Sequence, residues 1–248
     1  MMRLKNAEQL KGIRESCELL SEMYAFLRPL IAPGITTGEL DREARDFIAK
    51  RGALPAFLGY YDYPAALCIS VNEEVIHGIP GKRVLKPGDL VGIDSGINLG
   101  GFFSDAAFSV ALPPVAPETE RLMTVTKECL ERAIAAAKPG GRIHDISRAV
   151  FSHAKANGYG VVRQYCGHGV GFGVHEDPQV PNYVGSGPNP RLSPGLVIAI
   201  EPMINMGGDA VDELDDGWTV VTKDRSLSAH FEHTIAVTGD GIEVLTRW

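Results

Sequence analysis

A chain of 248 residues that is 44% hydrophobic and 22% charged is long enough to bury one substantial core and falls within the size of a single domain. Its net charge of -7, from 31 acidic against 24 basic residues, offers no electrostatic footprint for nucleic acid or an anionic membrane surface. No run of about 18 apolar residues occurs, and residues 1–9 are polar, so neither a membrane span nor a signal peptide is expected and the cytoplasm is the expected compartment.

After Asn6 as a cap, Leu10, Ile13, Cys17, Leu20, Tyr24 and Leu27 recur at steps of three and four, the stripe of an amphipathic helix expected to end near Pro33-Gly34. Thr36 and Glu39 read as a capping box for a second helix, which buries Leu40, Ala44, Phe47 and Ile48 and stops at Gly52. Segments 66–71, 90–97 and 103–112 have strand character. The same grammar then returns. Residues 117–137 carry Leu122, Val125, Cys129 and Ala133 on one helical stripe that ends at Pro139-Gly140. A shorter helix with Ile146, Val150 and Ala154 stops at Gly158, and segments 196–204 and 231–237 follow as strands.

A shift of 106 residues lays Pro33-Gly34 on Pro139-Gly140 and Gly52 on Gly158. Two halves, each a helical pair followed by strands, are therefore expected around a pseudo-twofold axis. The resulting class is α+β, a curved antiparallel sheet covered by helices with a cleft between the halves. No low-complexity linker separates them, so residues 1–248 read as a single domain. Cys17, Cys68, Cys129 and Cys166 form no CxxC pair, which favours reduced thiols over a disulfide framework or a zinc knuckle.

The segment 90–105 reads as a hairpin. With its turn centred on Leu99-Gly100, Asp94 and Asp105 lie directly opposite on one face, Cβ atoms about 5 Å apart. Two buried facing carboxylates cost several kcal/mol each unless a cation or a shared proton neutralises them, so the pair points to a metal. Glu201 falls 107 residues after Asp94, at the end of the apolar run 197–200, and Glu232 answers Asp105 if an insertion occupies 207–218. Each half would then give two acids to a shared centre. That donor set suits manganese, iron, cobalt or zinc with one added imidazole. His168, between Gly167 and Gly169, is the candidate, with His175 seven residues on. The polar helical or strand-edge settings of His144, His153, His230 and His233 favour structural or surface roles.

Seven stretches in order, NEEVIHGIP (72–80), GID (92–94), SD (104–105), YCGHGVG (165–171), HEDP (175–178), IEPM (200–203) and SLSAHFEHT (226–234), resemble the type I methionine aminopeptidases across nearly the whole chain. The resemblance implies the pita-bread fold. It also implies five metal ligands for two divalent ions, Asp94, Asp105, His168, Glu201 and Glu232, with Asp105 and Glu232 bridging. His77 and His175 become catalytic, substrate-facing histidines, Glu201 a catalytic proton carrier, and Phe57, Tyr60, Tyr63, Cys68 and Trp218 the pocket for a methionine side chain. Val174 stands where several members carry phenylalanine, and Asp177 where glutamate is usual, which alters the local wall. A monovalent cation is expected around Asn72 and Ser228.

The activity so implied is removal of the initiator methionine from nascent polypeptides with a small second residue. Hydroxide activated by two metals attacks the first peptide bond while His175 stabilises the oxyanion and Glu201 moves the proton. The expected partners are nascent N-termini at the ribosome, with no membrane or direct nucleic-acid contact, and the expected state is a monomer. Two other readings share the scaffold. A proline dipeptidase usually carries a further N-terminal domain, for which a first helix after Asn6 leaves no room. A metal-free binding module would be expected to lose ligands or gain basic insertions.

Overall fold

Asn6 caps the first helix in the computed structural model, which describes residues 2–248. Its side chain accepts from Gln9 N at 2.9 Å while the Gln9 side chain accepts from Asn6 N at 2.9 Å. Helix α1 (Ala7–Leu27) ends with its stripe and before the expected Pro33-Gly34, because Pro29 has no N–H to continue the ladder and the chain tightens into a 3-10 turn at Arg28–Leu30. The Thr36–Glu39 capping box opens α2 (Thr37–Lys50) as expected.

In chain order the remaining elements are β1 (Leu54–Pro55), β2 (Leu67–Val71), β3 (Glu74–Ile76), β4 (Leu90–Leu99) and β5 (Phe102–Ala111) in the first half. The second half follows with α3 (Pro117–Ala136), α4 (Ile143–Ala156), β6 (Gly160–Val161), β7 (Gly167–Gly169), β8 (Glu176–Val180), β9 (Val197–Ile200) and β10 (Met203–Asn205). It closes with β11 (Val211–Glu213), β12 (Val220–Thr222), β13 (Ser228–His230), β14 (Glu232–Val237) and β15 (Ile242–Val244). The shift of 106 residues carries α2 onto α4 end for end.

Nine strands form one antiparallel sheet, ordered β1-β4-β5-β14-β9-β7-β8, with β2 added on β4 and β15 on β14. The halves join where β5 pairs with β14, Ala107 opposite Glu232 and Ala106 opposite His233. Helix α1 packs across β4 and β5, while α3 packs on α4 and against β5 and β14. The apolar core fills the layer between helices and sheet, with Leu20, Met23, Tyr24, Phe108, Leu122, Ile146, Ile198 and Ile235 fully buried in it or nearly so. Its polar faces are turned the other way. Two three-stranded sheets, β13-β10-β6 and β11-β12-β3, flank the cleft. The second of them contains the insertion expected between 207 and 218.

Two expectations need correcting. The β4–β5 hairpin pairs Leu99 with Phe102, so the turn is Gly100-Gly101 and not Leu99-Gly100. Both turn residues have positive φ, 59° and 89°, the type I′ demand that two glycines meet and leucine resists. Asp94 therefore faces Ala107 and Asp105 faces Gly96. The slip is two residues, so both acids keep one face and become diagonal neighbours. The single strand expected over 196–204 is two strands, β9 in the large sheet and β10 in a small one. Pro202 lacks the N–H needed to continue the ladder, and the break leaves Glu201 at its hinge.

Candidate metal centre and adjoining cavity

Alternation along the strands turns Asp94, Asp105 and Glu232 toward one concave face, from β4, β5 and β14. Glu201 enters from the end of β9 and His168 from the centre of β7. Ligand atoms of Asp105, His168 and Glu232 all lie within 4.8 Å of one another. His168 Nε2 stands 3.7 Å from Asp105 Oδ2 and 3.5 Å from Glu201 Oε1. The tight approach of β7 needs its glycines: a Cβ on Gly167 would strike Ala199 O, and one on Gly169 would strike Asp177 O.

Asp105, Glu201, Glu232 and His168 are buried, and Asp94 is mostly so. Burial pushes all four carboxyls above the usual carboxylate range, and mutual repulsion adds to it for Asp105, Glu201 and Glu232. Burial likewise lowers His168 to about 3, with His175 contributing. Oδ1 of Asp94, Oδ1 of Asp105 and Oε1 of Glu232 are buried with no hydrogen-bond partner among the described residues. Such atoms are costly in a folded protein. The His168 Nδ1 proton goes to Gly169 O at 3.0 Å, which leaves the Nε2 lone pair facing the carboxylates, the tautomer a metal ligand requires. Four acids, one oriented imidazole and three orphaned oxygens fit divalent cations.

The five residues form the floor of a cavity of about 160 Å³, walled by Phe57, Tyr60, Tyr61, Tyr63, Cys68, His77, His175 and Trp218. An apolar cavity of roughly 150 Å³ accepts a benzene-sized guest, so this one suits a single side chain. Every residue expected from the sequence at the site lines it. Cys68 faces Asp94 across β2–β4, and the Tyr63 hydroxyl lies 3.0 and 3.1 Å from the carbonyls of Leu67 and Gly78. Trp218 meets Tyr63 edge-on with centroids 4.9 Å apart. His175 is exposed at the mouth, its Nδ1 3.0 Å from the Tyr60 hydroxyl and its ring 4.2 Å from that of His168. His77 takes a positive φ of 60° beside Tyr165 and Trp218. Val174 is buried in the wall with Phe57, Tyr63 and Cys68, whereas Asp177 lies outside on β8.

The comparisons agree with this geometry. The model of "Metallopeptidase family M24" matches residues 11–239. The chain is 51% identical to a methionine aminopeptidase of Treponema pallidum over all of its length and 97% of that protein's. The crystal structure of methionine aminopeptidase from Rickettsia prowazekii superposes with a TM-score of 0.96 at 38% identity, all of each chain being covered. The chain belongs to metallopeptidase family M24, among its methionine aminopeptidases. Its fold is the pita-bread fold, shared at 24% identity and TM-score 0.81 by the prolidase from Pyrococcus furiosus, of which the chain covers 65%.

Two residues of this M24 centre escaped the sequence. Tyr61, 79% exposed and at φ 47°, lines the cavity mouth against Tyr60. His230, expected to be structural or superficial, is 4% exposed with its Nε2 3.7 Å from Glu201 Oε2. Its position two residues before Glu232 was the available signal, although the two lie on different strands, β13 and β14. His233 and His153 are structural as expected, bonded to Thr246 and Glu128. Asn72 and Ser228 are neighbours through the 3.0 Å bond from Ser228 N to Asn72 O. No described helix is long and apolar enough to cross a membrane.

Proposed function

We propose that the chain, acting as one catalytic domain, removes the N-terminal methionine from polypeptides whose second residue is small. Asp94, Asp105, His168, Glu201 and Glu232 would hold two divalent cations, with Asp105 and Glu232 shared between them. The observation that carries this is the set of orphaned, buried carboxylate oxygens at the foot of a side-chain-sized, largely aromatic cavity. Cations bound there supply Lewis acidity and lower the pKa of water from about 15.7 towards about 7.

The chain's own groups do the rest. Phe57, Tyr60, Tyr63, Cys68 and Trp218 close around the methionine side chain and exclude water, the polarizable thioether meeting aromatic edges and a thiol. A Glu201 carboxylate oxygen takes the proton from the attacking water and passes it to the leaving amine. His175, exposed at the mouth, donates to the developing oxyanion, and His77 orients the backbone of the second residue. A monovalent cation near Asn72 and Ser228 belongs to the same reading, as does action in the cytoplasm, by a monomer, on N-termini emerging from the ribosome.

Metal analysis of protein purified without added ions, paired with mass spectrometry of Met-Ala-Ser and Met-Leu-Ser digests, tests the proposal. Free methionine released from the first peptide faster than from the second, by protein carrying up to two divalent ions, is the expected result. Cleavage of N-acetylated Met-Ala-Ser at the same rate, or preference for an Xaa-Pro dipeptide, would replace this reading with another pita-bread hydrolase.

A further inference from the structure

His230 is a buried imidazole whose Nε2 has no hydrogen-bond partner among the described residues. Glu201 Oε2 is 3.7 Å away, just beyond hydrogen-bond reach. The other Glu201 oxygen, Oε1, faces His168 at 3.5 Å. Glu201 thus lies between two imidazoles that differ in what they can offer. His168 has committed its proton to Gly169 O and presents a bare Nε2. It cannot donate to Glu201. His230 can.

The backbone of His230 is fixed from two sides. His230 N donates to Ser109 Oγ at 3.0 Å, and Ser109 Oγ donates to His230 O at 2.9 Å. Strand β13 pairs His230 with Met203, two residues beyond Glu201 on the chain. On the Glu201 side, Asn182 Nδ2 donates to the Glu201 carbonyl at 2.9 Å, which holds the main chain and not the carboxylate. An imidazole on a fixed strand, placed beside a carboxylate that its own main-chain bonds do not orient, is positioned to select one rotamer.

We propose that His230 is a positioning residue for Glu201: its Nε2–H donates to Oε2, which turns Oε1 toward His168 and Asp105. The inference rests on the reading of Glu201 as both ligand and proton carrier. One oxygen is then held by the protein while the other serves the centre, and the carboxylate keeps one orientation through proton transfer. Partners of this kind around metal ligands typically change affinity or activity by about 10–100-fold when removed.

The test uses the full chain loaded with zinc and uniformly labelled with 15N-histidine. Long-range proton–nitrogen spectra assign each imidazole, His230 being identified by the signals that vanish in His230→Gln. A protonated Nε2 on His230 is the expected result. A bare or metal-shifted Nε2 overturns the proposal, because His230 is then an acceptor or a further ligand. This readout needs no turnover, so it separates failure here from failure of the parent protein to cleave Met-Ala-Ser.

Kinetics supply the second arm. At saturating metal, His230→Leu should lower kcat by about 10–100-fold with KM changed by no more than about twofold, and calorimetric metal stoichiometry should match the parent. His230→Gln, which keeps an N–H donor at similar reach, should recover most of that loss. Equal losses in both variants, or a missing ion in His230→Leu, overturn the assignment. Should His230→Leu fail to fold, the tautomer and the rate of His230→Gln decide the matter, a loss of more than about tenfold in the latter counting against it.

Discussion

On the floor of the cleft, carboxylate oxygens of Asp94, Asp105 and Glu232 are buried without a protein partner. The wall beside them is satisfied from within the chain: the Tyr63 hydroxyl reaches two carbonyls, Tyr60 bonds His175, and Trp218 N donates to Asp216 Oδ1 at 2.9 Å. The floor is therefore assembled at the expense of stability and is completed by something the chain lacks. The wall stands by itself, so the side-chain pocket is formed before any ligand arrives. Functional groups that oppose folding and functional groups that follow from it can share one cavity when different strands carry them.

The comparison breaks most sharply at the two acids read as bridging. Asp105→Asn or Glu232→Gln should lower kcat by at least about 10³-fold, since each would remove the anionic ligand that the proposed function has both cations share. The same variants should melt higher than the parent when metal-free at pH 8.5, by about 1–4 °C, because an amide cannot add to the like-charge repulsion among the remaining acids. Scanning calorimetry and a Met-Ala-Ser assay under limiting metal read the two effects. Full activity in either variant would show that the residue does not bridge.

Next in size is the contrast between the neighbouring imidazoles His168 and His175, whose rings are 4.2 Å apart. One oxyanion donor in a site that excludes water is worth about 10²–10³ in turnover. His175→Ala should lose that factor in kcat and keep its metal stoichiometry by titration calorimetry. His168→Ala should lose metal affinity along with rate. If raising the metal concentration restores His175→Ala, that histidine belongs to the floor.

A third effect tests the floor alone, through pH. A carboxyl with a raised folded pKa keeps its proton longer in the folded state. Its stabilising contribution is full below the unfolded value near 4 and is lost as pH rises through the folded one. For Asp94 and Glu201 those folded values are about 7 and about 8. The buried histidines run in the opposite sense: His77 and His168, lowered to about 4 and about 3, cost stability only as pH falls below 6.5. Above pH 6.5 the acids act unopposed. Metal-free protein should lose about 2 kcal/mol between pH 6.5 and 8, a fall of about 4–8 °C in Tm. Excess manganese should reverse the slope, because ligands bind it deprotonated. A metal-free Tm that rises over this interval would mean that the floor is already neutralised from within the chain.

Much of this was legible in the sequence, for identifiable reasons. Capping chemistry located α2, the stripe of Ile146, Val150 and Ala154 located α4, and the 106-residue shift marked the two as twins. Acids inside apolar strands located the floor, since nothing else explains Glu201 after Val197-Ile198-Ala199-Ile200. What was misread depended on backbone geometry. The hairpin register turned on which two residues accept positive φ, and Gly100-Gly101 outcompete Leu99-Gly100. The break at Pro202 was present in the sequence but was outweighed by the apolar run around it. His230 was hidden because its setting looks polar in one dimension, while the pairing of β13 with β10 turns it inward beside Glu201. The left-handed turns at Tyr61 and His77 have no sequence signature, because neither is a glycine and positive φ is uncommon at any other residue.

The smallest expected effect separates wall from floor by sign. Tyr63 is 3% exposed, and its ring packs edge-on against Trp218 while its hydroxyl serves Leu67 and Gly78. Tyr63→Phe keeps the ring and deletes the hydroxyl. Gly78 O retains its 2.8 Å bond from Ile69 N, so the net loss is that of one ordinary hydrogen bond, about 1 kcal/mol, or about 2–4 °C in Tm. Metal stoichiometry should not change, and KM for Met-Ala-Ser should move by no more than about twofold, because the apolar surface offered to the side chain is the same. A floor variant such as Glu232→Gln raises metal-free stability and destroys turnover; this wall variant lowers stability and leaves turnover nearly intact. Should Tyr63→Phe instead lose metal, or lower kcat by more than about tenfold, the hydroxyl acts on the carboxylates and the wall does not fold independently of the floor.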